Sequence, residues 1–178
     1  PDSAFIGSFG DRSLLVMDRR GGSLRTLAPA PFAHGGTWSQ QGVIVYAPNE
    51  NGPLYRISEK GGTPQQVTWL NASRQETAHR HPCFLPDGRH FLYVAVTSNP
   101  ENSGIWIGSL DSAETRFLVS STVKAVFAPP NTILYVQGTS LIARAFAVAV
   151  PCVRSAQYRM LRAPSTKAKC RPSGYTEG

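Results

Sequence analysis

The sequence is short of most features that mark reactive or membrane-spanning proteins. Charged residues make up only 16% of its 178 positions, and there are two methionines and three cysteines. No stretch approaches the roughly 18 uninterrupted apolar residues of a membrane helix; the apolar run from Ala143 to Val150 is short and broken by Arg144. No window of useful length carries helical periodicity. Cys83, Cys152 and Cys170 form an odd set without a C-x-x-C pair, so they define neither a zinc knuckle nor a disulfide framework. Cys83, between Pro82 and Phe84, reads as a buried structural thiol, and Cys152–Cys170 is the one pairing available in an oxidising compartment. Gly-x-Ser-x-Gly, a Gly-rich phosphate loop, His-Arg-Asp and Asp-Phe-Gly are all missing, which argues against a hydrolase nucleophile elbow or a kinase core in this stretch.

The formal charge of +7 points first to nucleic acid, but its location points away. Residues 151–178 hold Arg154, Arg159, Arg162, Lys167, Lys169 and Arg171 against Glu177; the first 150 residues carry twelve Lys/Arg and ten Asp/Glu. The body is near neutral. The tail lacks the interleaved aromatics of a single-strand binder, so 149–178 reads as a basic, disordered tail rather than a nucleic-acid site.

What is present is repetition. Sixteen glycines and fourteen prolines punctuate short apolar runs, and 41% of the residues are apolar. Pro1–Ile6, Gln40–Tyr46, Pro86–Tyr93 and Pro129–Tyr135 share one layout, a turn followed by an apolar strand, with starts 39, 46 and 43 residues apart. A second marker keeps step: Leu14–Asp18, Leu54–Ser58, Ile105–Ser109 and Leu141–Ala145, with starts 40, 51 and 36 apart. Gly21-Gly22 and Gly61-Gly62, 40 apart, supply the positive φ angles of tight turns. Further strands follow at Arg25–Leu27, Gln66–Thr68 and Arg116–Leu118. Several strands per unit at a period near 40 predict an all-β chain, a partial β-propeller of three to four four-stranded antiparallel blades. The units span about 1–30, 36–70, 81–120 and 123–148. Phe91–Val96 is apolar throughout, as expected of a strand covered on both faces. Trp38, Trp106, Phe84, Phe91, Tyr93 and Phe127 recur at equivalent strand positions and read as core between blades. The opening Pro-Asp lies inside a repeat signature, which reads as a fragment with residues upstream.

Phe84-Leu85-Pro86-Asp87-Gly88-Arg89-His90-Phe91-Leu92-Tyr93, then Ile105–Leu110, resembles the WD-repeat-like blades of the TolB type. So does Leu15–Asp18 followed by Gly21-Gly22 and Leu27. More narrowly, residues 1–146 resemble the propeller that follows the membrane helix in many bacterial serine/threonine kinases. Gln40-Gln41-Gly42 departs from the family's Pro-Asp-Gly but keeps the turn glycine. The resemblance implies a ring of six or more blades, an extracytoplasmic setting, and a non-catalytic binding or sensing module. A second role fits the same blades, the accessory gating propeller of a prolyl-oligopeptidase-like peptidase whose catalytic domain lies elsewhere.

Candidate chemistry is sparse. His79-Arg80-His81 is the one compact polar cluster, and on a strand His-x-His places both rings on one face. That makes half a metal site, with Glu76 the only further ligand nearby, so no metal and no cofactor are expected. His79, Arg80 and His81 read better as a surface that contacts a ligand or partner at a channel mouth, with Trp69 exposed in a linker. Asp87, Asp111, Asp18 and Asp11 are explained by turn chemistry. The expected partner is a protein or peptide, or a small ligand. Unpaired blade edges also predict self-association.

Overall fold

The computed structural model describes residues 5–146. The tail at 149–178, the Cys152–Cys170 pair and the first four residues of the Pro1–Ile6 signature lie outside the described residues.

Within that range the chain forms four antiparallel sheets in sequence order, with no α-helix among the described residues. Sheet 1 contains β1 (Phe5–Gly10), β2 (Ser13–Asp18) and β3 (Arg25–Pro29). Sheet 2 contains β4 (Gly36–Trp38), β5 (Val43–Tyr46), β6 (Tyr55–Ser58) and β7 (Gln65–Gln66). Sheet 3 is the largest, with β8 (Glu76–Phe84), β9 (His90–Thr97), β10 (Gly104–Ser109) and β11 (Arg116–Ser120). Sheet 4 contains β12 (Val126–Ala128), β13 (Thr132–Gln137) and β14 (Ser140–Ala145). Every sheet is a meander in which each strand pairs with the next. The repeat markers therefore stand on strands of equivalent place: β5, β9 and β13 on one, β2, β6, β10 and β14 on the other.

The turns form where their residues require it. Gly21, Gly22, Gly61 and Gly62 have φ of 98°, 137°, 96° and 118°, left-handed values that side chains disfavour. In the Pro-Asp-Gly turn, Asp87 Oδ1 accepts the backbone N–H groups of Arg89 and His90 at 3.0 and 2.9 Å.

Period-two alternation decides how the sheets assemble. Along β5, Ile44 and Tyr46 enter one apolar cluster with Leu14, Val16, Leu27 and Ala28 of sheet 1. Val45 and Ala47 enter another, with Phe91, Tyr93 and Ala95 of sheet 3. Along β9 the odd residues face sheet 2, while Leu92 and Val94 join Ile133 and Tyr135 of sheet 4 and Ala125 of the linker before it. Sheets 2 and 3 are thus each covered on both faces, which is why Phe91–Ala95 is apolar without a break and fully buried. Trp38, Phe84, Trp106 and Phe127 pack partly buried against the same three clusters. Each fully buried large side chain contributes about 1.5–3 kcal/mol.

The first strands of neighbouring sheets approach one another, β4 against β8 and β8 against β12. His81 N–H donates to the His34 carbonyl at 2.8 Å, and Phe84 N–H donates to Thr37 Oγ1 at 3.0 Å. Arg25 of sheet 1 reaches the Glu59 and Lys60 carbonyls of sheet 2, and Arg56 of sheet 2 reaches the Leu110 carbonyl of sheet 3. Successive blades packed face against face with converging first strands make a partial β-propeller.

Three particulars differ from the sequence reading. Sheet 3 begins at Glu76 rather than near residue 81, because polar Glu76, Thr77 and His79 continue the strand. Sheets 1 and 4 show three strands each among the described residues. Cys83 is only partly buried, at the margin of the third cluster.

Candidate functional site

The meander fixes which loops share an end of the blades. Each first strand starts at one end, so the sheet-to-sheet linkers and the loops between second and third strands lie together. The remaining hairpins lie at the other end. The linker end gathers Asp11-Arg12, Ala30–Gly35, Pro48–Pro53, Thr68–Gln75, Ser98–Ser103 and Ser121–Ala125.

Trp69 stands there, 55% exposed, beside exposed Leu70. Phe32 occupies the linker from sheet 1 to sheet 2 and is 59% exposed, with the Arg12 guanidinium 5.6 Å above its ring. Val123 occupies the linker from sheet 3 to sheet 4 and is also exposed. All three linkers therefore present an apolar side chain to solvent at the same end. Trp69 was legible in the sequence. Phe32 and Val123 were not, since each falls just past the linker residues that turn composition marks.

The three residues of the polar cluster part company. His79 is 1% exposed, so it lies inside the protein rather than on a contact surface. Leu54 N–H donates to Thr68 Oγ1 at 2.9 Å, and Thr68 Oγ1 lies 2.8 Å from His79 Nδ1. His79 Nε2 lies 3.2 Å from Glu76 Oε2. With Nε2–H donating to Glu76, Nδ1 accepts the Thr68 hydroxyl proton, so Thr68 Oγ1 and both ring nitrogens of His79 are satisfied. The Glu76 carboxylate further accepts Asn71 N–H at 2.6 Å and Arg74 Nε at 2.8 Å. Burial alone would raise the Glu76 pKa, but His79, the Asn71 N–H and Arg74 outweigh it and hold the group down at about 2. Arg74 in turn lies 4.2 Å over the Trp106 ring, and His79 packs against Tyr93. This network locks the 68–76 linker onto sheet 3.

Arg80 donates to the Glu50 carbonyl from Nε and Nη2, at 3.2 and 2.7 Å, pinning the 47–54 loop. The parallel bridge Gly52↔Ala78 adds to that seam. His81 sits in a bulge, where the register of β8 against β9 shifts between Arg80 and Cys83. Its φ is 53°, and its ring lies 6.2 Å from that of His34, edge to face. The bulge breaks the simple alternation on which a shared His79–His81 face depended. His79 joins Glu76 and Thr68, whereas His81 joins His34 of the preceding linker. No group of three or more His, Cys, Asp or Glu able to hold a metal is found among the described residues.

Three of the four aspartates expected in turns hold structure through their side chains. Asp18 caps its turn through Arg20 N–H at 2.7 Å, and Asp111 pairs with Arg89 at 2.7 Å. Asp87 pairs with His90, and its pKa falls below the usual carboxylate range because that ring and two backbone N–H groups outweigh burial.

No known protein-family profile matches the chain, and no curated protein is found as a relative. Solved structures do match. TolB from Acinetobacter baumannii superposes with a TM-score of 0.56 at 17% identity, over 74% of this chain and 34% of that one. The TolB-type protein of Agrobacterium tumefaciens gives 0.56 at 17%, over 75% of this chain and 50% of that one. A prolyl endopeptidase gives 0.52 at 13%, over 75% of this chain and 24% of that one. The chain thus spans half or less of the length of these neighbours. At such identities the likeness shows the fold alone, a TolB-like propeller fold.

Proposed function

We propose that this chain belongs to a non-catalytic interaction propeller that presents its linker end to a protein or peptide partner. The observation that carries the reading is the placement of Phe32, Trp69, Leu70 and Val123. Large apolar side chains in solvent at three successive linkers, on a body whose central strands are sealed, are a surface that gains by being covered. The buried His79–Glu76 network supports the same reading, because it spends the most suggestive titratable pair on holding a linker in place.

The context we favour is a larger bacterial protein: the extracytoplasmic sensor half of a receptor-type serine/threonine kinase, or a TolB-like scaffold. The TolB likeness supports the scaffold form, and the blade resemblance supports the kinase form. The likeness to a prolyl endopeptidase favours one further reading, an accessory propeller that gates a peptidase domain. The flanking DNA separates them. A kinase linkage predicts an upstream kinase domain and membrane helix; a peptidase linkage predicts a downstream α/β-hydrolase domain.

The surface itself is tested by comparing proteins retained from bacterial extract by the immobilised chain and by a Phe32→Ala/Trp69→Ala variant. A partner that binds the first and is lost at least tenfold from the second is expected. Equal retention by both, with the variant folded, contradicts the surface. Turnover of a prolyl peptide or of ATP by the purified chain contradicts the non-catalytic role.

A further inference from the structure

The hairpin pairs Trp38↔Ile44, Phe84↔Phe91 and Phe127↔Ile133 set equivalent positions on β4, β8 and β12. Gly35, His81 and Lys124 each stand three residues before the first member of these pairs, at corresponding places along the chain where β4, β8 and β12 begin to converge. Gly35 and His81 are both left-handed, with φ of 94° and 53°. Glycine takes that conformation freely, whereas a histidine there carries backbone strain on the order of 1 kcal/mol. A strained histidine where the neighbouring blade uses glycine calls for a reason. The two positions are packed closely: a Cβ on Gly35 would lie 3.3 Å from both Cα and Nδ1 of His81. His34, one residue earlier, gives its carbonyl to His81 N–H and its ring to the 6.2 Å pair.

The charges around His81 have one sign. The groups that act on His81 are His34, Lys124 and Arg80, and together with burial, the largest cause, they lower its pKa. Among the described residues, none of the four forms an ion pair with a carboxylate. Arg80 uses two of its donors on the Glu50 carbonyl and keeps others.

We propose that His34, His81 and Lys124 form a site for one oxyanion, a carboxylate or a phosphate, where the first strands of sheets 2, 3 and 4 converge. Such an anion offsets the like charges and accepts from both rings once they protonate. Binding and protonation are linked, so the anion raises the His81 pKa and binds more tightly as pH falls. This goes beyond the interaction surface at the linkers and stands or falls independently of it.

The test follows the histidine ring resonances of the full chain against pH, by NMR, in chloride, acetate and inorganic phosphate at equal ionic strength. His79 and His90, held by Glu76 and Asp87, serve as internal references. The expected result is an upward shift of the His81 midpoint by about half a unit or more in the binding anion relative to chloride, with the His34 ring resonances displaced by the same anion. A shift in acetate and phosphate alike assigns a carboxylate-accepting site; a shift in phosphate alone assigns a phosphate site. Lys124→Gln removes the shift. His81→Gly keeps the left-handed position without strain, so it folds, yet leaves His34 unresponsive. Identical midpoints in all three salts, or an undiminished shift in Lys124→Gln, overturn the proposal.

Discussion

Glu76 shows how one residue can be both costly and necessary. Its carboxylate is buried, which penalises the charge, yet three donors hold it ionised to about pH 2. Its folded pKa lies below the ordinary value of 4.5, so the stability it brings is complete above that value and disappears as pH falls toward 2. Glu76→Gln keeps the shape but removes the charge that His79, Arg74 and the Asn71 N–H share. The variant is expected to lose about 1–3 kcal/mol at neutral pH, and its unfolding free energy is expected to fall less steeply between pH 5 and 2. Chemical denaturation at stepped pH checks this. Parallel curves for the two proteins would mean that the network carries no net stability. Tyr93, packed on the same histidine, has its hydroxyl buried without a hydrogen bond of standard geometry, and burial raises its pKa.

At the scale of elements, β1 and β8 hold the contrasts. Among the described residues β1 is hydrogen-bonded to β2 alone, although its counterparts β5 and β9 each have a strand on both sides. It exposes Phe5, Ile6 and Phe9. An apolar edge with free backbone donors and acceptors templates further pairing. The chain is therefore expected to elute at an apparent mass that rises with loading concentration. Charged replacements at Ile6 and Phe9 should restore a concentration-independent position, and a wild-type chain that stays monomeric throughout would contradict the role given to β1. The sequence made some elements readable for clear reasons. β9 shows as an unbroken apolar run because both its faces are covered, and the Gly-Gly turns show because positive φ restricts the residue. The start of β8 did not show, since Glu76 and His79 are buried through mutual hydrogen bonds and so leave no apolar periodicity. The β8 bulge did not show because its left-handed residue is a histidine, and that misplaced His81 relative to His79. Most of the linker surface stayed hidden because Phe32, Leu70 and Val123 are defined by what fails to cover them, which composition does not record.

For the whole molecule, the account rests on a division of labour within single strands. Adjacent residues of β9 face different neighbours, Phe91 toward sheet 2 and Leu92 toward sheet 4, and this is what fans four meanders side by side. A two-layer sandwich would bury one face of each sheet and leave the other polar. The most direct measurement is a pair of double-mutant cycles on unfolding free energy. One combines Leu92→Ala with Ile133→Val, which share a cluster; the other combines Phe91→Leu with Ile133→Val, which do not. The fan predicts a coupling of about 0.5 kcal/mol or more in the first cycle and additivity within about 0.3 kcal/mol in the second. Equal coupling in both, or coupling confined to the second, would contradict it.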